Sequence, residues 1–167
     1  MESLQMAKLA GFNVSGTVHL IVNNQLGFTT GSMAGRSCQF STDLAKLIDA
    51  PVFHVNADDP EAVAKVSRLA VSFRNRFGKD VFIDLIGYRR NGHNELDEPS
   101  FTQPLMYKTI RSRPSIADIY APKAFEMEQI RSVKEEAFKK LDDELSLTSN
   151  FKPEPSGIQA TRVQAAI

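Results

Sequence analysis

The sequence predicts an α/β fold, a parallel βαβ sheet flanked by helices. Three observations carry that prediction. Residues 18–22, 51–55 and 81–86 are short apolar runs rich in β-branched and aromatic residues, which is how buried strands read. Between the second and third runs, Val63, Val66, Ala70, Phe73 and Phe77 recur at steps of three and four and mark a helix. The alternation of strand, helix, strand, helix and strand then calls for right-handed crossovers and a parallel sheet.

In order along the chain, residues 2–10 can form a short helix stopped at Gly11, with Leu4, Ala7 and Leu9 as a small apolar face. The first run, 18–22, reads as a strand buried on both faces. Residues 30–39 are a glycine- and serine-rich loop, long for a compact domain, and such loops often carry function. Ser41 or Thr42 caps a helix running to Ile48. Asp59 is the N-cap and Pro60 the first residue of the periodic helix, which Gly78 ends. Residues 103–113 read as helix. Ser115 and Asp118 resemble a capping box leading into a turn ended by Pro122. Residues 123–145 form a longer helix with Phe125, Ile130, Val133, Ala137, Leu141 and Leu145 on its apolar edge. From 146 the chain is polar, with Pro153 and Pro155, and reads as a loosely held tail.

Each strand ends in a polar cluster: Asn23, Asn24 and Gln25; residues 56–59; and residues 88–95. In a parallel sheet these share one edge, where ligands of open α/β folds bind. Amide oxygens are hard acceptors suited to a cation such as Mg²⁺, and Asn23–Asn24 followed by Gly27 equally suits an Asx-type turn. Arg89 and Arg90 offer planar forks for phosphate oxygens, and His93 a donor that titrates near neutral pH. Together they suggest a phosphorylated ligand held through a divalent ion. The alternative is a surface pair neutralised by Glu95, Asp97 and Glu98. His19 reads as a satisfied core histidine, and His54 points either to the core or to the site. Cys38 reads as a small apolar residue. The loop from 88 to 98 is expected to be poorly ordered without its ligand.

Other classes fall away. The 20 basic and 20 acidic residues cancel, which disfavours nucleic-acid binding by bulk charge. One cysteine excludes a disulfide framework within the chain and a cysteine zinc site. No apolar run approaches the roughly 20 residues of a membrane span, and the N-terminus lacks a signal-peptide core. Neither a P-loop nor a G-x-G-x-x-G motif follows a strand.

The blocks VHLIVNNQLGFTT, GRS followed by STDLAKL, PVFHVNADDPEAV and KDVFIDLIGYRRNGHNELDEPSFTQPLMYKTIR carry a resemblance. Over about residues 2–121 the chain resembles the thiamine-diphosphate-dependent first component of the 2-oxoglutarate dehydrogenase complex and its close relative for 2-oxoadipate. The resemblance implies part of a thiamine-diphosphate-binding fold: a partial diphosphate-side domain over 1–121, a helical extension over 122–145, and a polar tail or linker over 146–167. It implies Mg²⁺ held by the Asn24 side chain and the Leu26 backbone carbonyl, with Arg89 and His93 approaching the diphosphate. No Gly-Asp pair precedes Asn24, and neither the aminopyrimidine-binding domain nor its activating glutamate is present. The chain is therefore expected to be a fragment without catalytic residues of its own, either part of such a dehydrogenase or a non-catalytic module. The parent enzyme is expected to be a homodimer that decarboxylates a 2-oxo acid. It would work with a lipoyl-bearing acyltransferase and dihydrolipoyl dehydrogenase, in the mitochondrial matrix of a eukaryote or the cytoplasm of a bacterium. GHNELDEP and MYKTIRSRPSIADIYA lean toward 2-oxoadipate, and HVNADDPEAV and RRNGHNE toward 2-oxoglutarate.

Overall fold

The computed structural model describes residues 2–12, 14–148 and 152. The chain divides into two compact units, Met1–Tyr120 and Ala121–Ile167. The first begins with α1 (Glu2–Gln5) and β1 (Val18–Asn23), followed by a small hairpin of β2 (Leu26–Gly27) and β3 (Thr30–Gly31). Then come α2 (Ser32–Gly35), a 3-10 helix (Asp43–Ile48), β4 (Val52–Asn56), α3 (Pro60–Phe77) and β5 (Val81–Ile86). A 3-10 turn (Pro99–Phe101) precedes α4 (Pro104–Ser112), and α5 (Ile116–Ala124) runs across the boundary between the units. The second unit holds α6 (Met127–Thr148).

β1, β5 and β4 form a parallel sheet in that order, with Val18 opposite Val81 and Val52 opposite Phe82. The period of two along β5 sends alternate residues to opposite faces. Val81 and Ile83 pack with Val55 and Ala70 beneath α3, whereas Phe82 packs with Ala45 and Ile48 of the 3-10 helix. The connection from β1 to β4 therefore covers one face and α3 covers the other. This is the arrangement that opens a crevice at the carboxyl ends of the strands.

α3 forms as its sequence dictates. The Asp59 carboxylate accepts the Ala62 N–H at 3.0 Å, and Pro60 occupies the first turn, where its missing N–H costs nothing. Gly78 closes the helix at φ 59°, donating to the Arg74 carbonyl.

Several expectations need correction. β1 is an edge strand, with Leu20 and Val22 exposed at 58% and 70%, and β5 is the strand buried on both faces. A strand at the rim of this sheet carries the same aliphatic run as a central one, so hydropathy alone could not separate them. α1 ends at Gln5, and residues 6–11 are turns. The segment before Ile48 is a 3-10 helix without a side-chain cap from buried Thr42. Asp43 closes its start instead, accepting from the Phe40 N–H and pairing with Lys46. Residues 30–39 contain β3 and α2 rather than loop alone.

Pro122 does not end a turn but lies inside α5. Ser115 caps that helix through the Asp118 N–H, so the one bond proline forfeits is not enough to stop it. The break falls later, where the Glu126 N–H turns to Gln129 Oε1 and starts α6. α6 thus runs four residues later than expected at its start and three beyond at its end, and it buries no side chain. Apart from residue 152, the expected polar tail from 149 onward lies outside the described residues. No helix among the described residues is long and apolar enough to cross a membrane.

Candidate functional site

The carboxyl ends of β1, β4 and β5 surround a cavity of about 350 Å³. Val22 and Leu85 line its apolar floor, and Asn24, Asp58, Tyr88 and Arg90 stand among its polar walls. The three polar clusters expected on one edge thus do converge there, one from each strand end.

Asn24 lines this cavity, and its Oδ1 accepts the Leu26 N–H at 3.0 Å. Asn23 repeats the pattern with the Gln25 N–H. Both asparagines therefore form Asx turns, and each such bond leaves one lone pair on the amide oxygen. Leu26 pairs with Gly31 in the small hairpin.

Arg89 and His93 both meet Phe28 of the hairpin turn and Asp97, but neither lines the cavity. Arg89 Nη2 donates to the Phe28 carbonyl at 3.0 Å and lies 3.8 Å from Asp97. Its Nε approaches the Tyr107 hydroxyl, which itself donates to the Arg89 carbonyl. The His93 ring is tilted against Phe28 with centroids 5.0 Å apart, and its backbone N–H donates to Asp97. The loop from 88 to 98 thus carries hydrogen bonds and an ion pair of its own. Gly92 makes the tight curl possible, because a Cβ there would run into the Asp97 carbonyl. At the base of the loop, Glu98 accepts from the hydroxyl and N–H of Ser100 and from Arg111. These bonds, the Ser100 hydroxyl foremost, hold its carboxyl below the usual range.

His54 points to neither the cavity nor an apolar core. Its Nδ1 lies 2.9 Å from Asp84 Oδ2, and its ring is tilted on Phe40. His19 is satisfied as expected, by Asp80 at 2.8 Å and by stacking on Phe82, although its side chain is only half-buried. Cys38 is exposed.

Sequence reasoning missed the clasp that closes one wall. Arg113 forks onto Asp58 with Nε at 2.7 Å and Nη2 at 2.6 Å, and Arg90 Nη2 donates to the Arg113 carbonyl. Ser115 and Ile116, just beyond, line the cavity. It also missed two braces between loops: Gln25 Nε2 to the Gly87 carbonyl and Gln103 Nε2 to the Thr29 carbonyl. Asp84 was legible in principle, as a lone carboxylate inside the apolar run VFIDLI.

Among the described residues, no three His, Cys, Asp or Glu side chains cluster as a metal site. A divalent ion here would be met by oxygen from the Asn24 amide, the chemistry Mg²⁺ accepts, with further ligands from phosphate and water. The guanidinium of Arg90 in the same cavity suits the phosphate. The residues present therefore fit part of a Mg²⁺–phosphate site.

The sequence profile described as the dehydrogenase E1 component matches residues 1–148. A probable 2-oxoadipate dehydrogenase complex component E1 homolog of Dictyostelium discoideum is 51% identical over 92% of this chain. The 2-oxoglutarate dehydrogenase E1 component of Rickettsia felis is 44% identical over 99% of it, and the 2-oxoadipate dehydrogenase complex component E1 of Homo sapiens 43% over 95%. In each case the match spans 18% of the relative's length. With its parallel sheet and the polar strand ends in place, this chain belongs to the dehydrogenase E1 component family.

Proposed function

We propose that this chain supplies the diphosphate side of a thiamine diphosphate–Mg²⁺ site within a larger 2-oxo acid dehydrogenase subunit. The substrate class is 2-oxoglutarate or 2-oxoadipate. The acyl group passes to a lipoyl-lysine of the acyltransferase, and dihydrolipoyl dehydrogenase completes the complex. The parent subunit is a homodimer of the mitochondrial matrix or of the bacterial cytoplasm. Bound thiamine diphosphate supplies the carbanion chemistry of decarboxylation, and the protein binds and orients it.

The observation that carries this reading is the cavity itself, where the amide of Asn24 and the loop after β5 meet in a chain of this family. In the reading, the Asn24 amide and the Leu26 carbonyl hold the Mg²⁺, and Arg89 and His93 approach the diphosphate. Their shared contact with Phe28, two residues beyond Leu26, supports placing them at one ligand. A second reading, a non-catalytic module, is favoured by the ligand type: neither the Asn24 amide nor the Leu26 carbonyl brings the carboxylate on which Mg²⁺ sites are usually built.

Calorimetric titration of Mg²⁺–thiamine diphosphate into the full-length subunit separates the asparagines. Asn24→Ala should weaken binding far more than Asn23→Ala, because only the second asparagine is a metal ligand in this reading. Equal losses would remove the assignment.

A further inference from the structure

We propose that Arg90 is a further ligand-facing cation of the cavity, binding the terminal phosphate of the diphosphate alongside Arg89 and His93. The inference rests on the proposed cofactor site and adds a residue to it. Three arginines beside Arg90 each face a carboxylate: Arg89 with Asp97 at 3.8 Å, Arg111 with Glu98 at 2.5 Å, and Arg113 with Asp58 at 2.6 Å. Among the described residues Arg90 has no such partner. Among the described residues its side chain makes one hydrogen bond, from Nη2 to the Arg113 carbonyl at 2.6 Å, which uses one of five N–H groups and brings no opposite charge.

The cavity wall is therefore electrostatically one-sided. Asp58, the carboxylate that could have answered Arg90, is already occupied by the Arg113 fork. The Arg113 carbonyl holds one end of the Arg90 guanidinium, and Arg90 lines both this cavity and the neighbouring one bounded by Asp97 and Glu98. A guanidinium lining the cavity with no carboxylate partner can receive a phosphate dianion. Arg89 is the more enclosed of the two, held by Phe28, Tyr107 and Asp97 with its side chain 15% exposed.

A latch role, in which Arg90 merely holds the wall near Ser115, makes a different forecast. The test is calorimetry on the full-length subunit with Mg²⁺, comparing thiamine diphosphate with thiamine monophosphate. Arg90→Gln should weaken thiamine diphosphate on the order of ten- to a hundredfold, the worth of one charge-assisted bond, and thiamine monophosphate much less. Arg90→Lys should recover part of the loss, because it restores the charge without the fork. Equal losses for the two ligands would overturn the proposal in favour of the latch. No loss in Arg90→Gln beside a large loss in Asn24→Ala would overturn it while sparing the cofactor site. No loss in either variant would overturn the cofactor site as well.

Discussion

Asp84 sits mid-strand in β5 with no exposed surface, between His54 Nδ1 and, at 3.4 Å, the Ser41 hydroxyl. Through these two contacts one carboxylate joins β5 to β4 and to the start of the 3-10 helix. A buried polar network of this kind stabilises only while every member is satisfied. Asp84→Ala leaves the Ser41 hydroxyl and the buried side of His54 without their acceptor and opens a small void. It should cost about 1–3 kcal/mol, read as a lower urea midpoint at an unchanged slope. The site residues behave otherwise. Asn24 and Arg90 are tied to backbone only by single bonds, so their loss should act on binding and leave that midpoint nearly in place.

At the scale of elements, α3 tests how local signals act. Its Asp59 cap satisfies one of the first-turn donors, and Asp59→Ala should cost about 0.5–2 kcal/mol, whereas Asp59→Asn, which keeps the acceptor, should cost much less. Thermal or urea unfolding of the two variants gives the comparison. α3 was legible because its cap, its apolar stripe and its closing glycine all lie within twenty residues of sequence. α5 was not, because the strength of the Ser115 cap against the loss at Pro122 is a balance of energies rather than a pattern. The edge position of β1 was hidden for a similar reason: Leu20 and Val22 look alike whether or not anything covers them. In the site, the clustering of Asn24 with the loop after β5 followed from strand order alone. The Asp58–Arg113 clasp joins residues 55 positions apart and leaves no trace in local sequence. The different partners of Arg89 and Arg90 depend on which way adjacent side chains leave the backbone, and the repeated letter conceals that.

For the whole molecule, the ledger of the cofactor site matters most. In the proposed site this chain would give Mg²⁺ only the Asn24 amide and the Leu26 carbonyl, with no carboxylate, and it spans 18% of the length of its relatives. The isolated 167-residue chain should therefore show no turnover of 2-oxoglutarate or 2-oxoadipate with thiamine diphosphate, Mg²⁺ and an artificial electron acceptor. Measurable turnover would mean that a complete site assembles from these residues alone.

The strand order β1-β5-β4 also sets a timetable. β1 and β4 never touch each other, and every ladder bond of the three-stranded sheet has β5 as a partner. β5 is also the last of the three to leave the ribosome. Until Val81 has emerged, β1 and β4 lack the strand that pairs with both of them here, and closing β1 onto β5 spans a loop of some sixty residues. Non-local closures of this kind are slow, because the loop entropy must be met before any contact compensates it. Within this sheet, the stage before β5 emerges is the one at which a holding chaperone would have unpaired strands to protect.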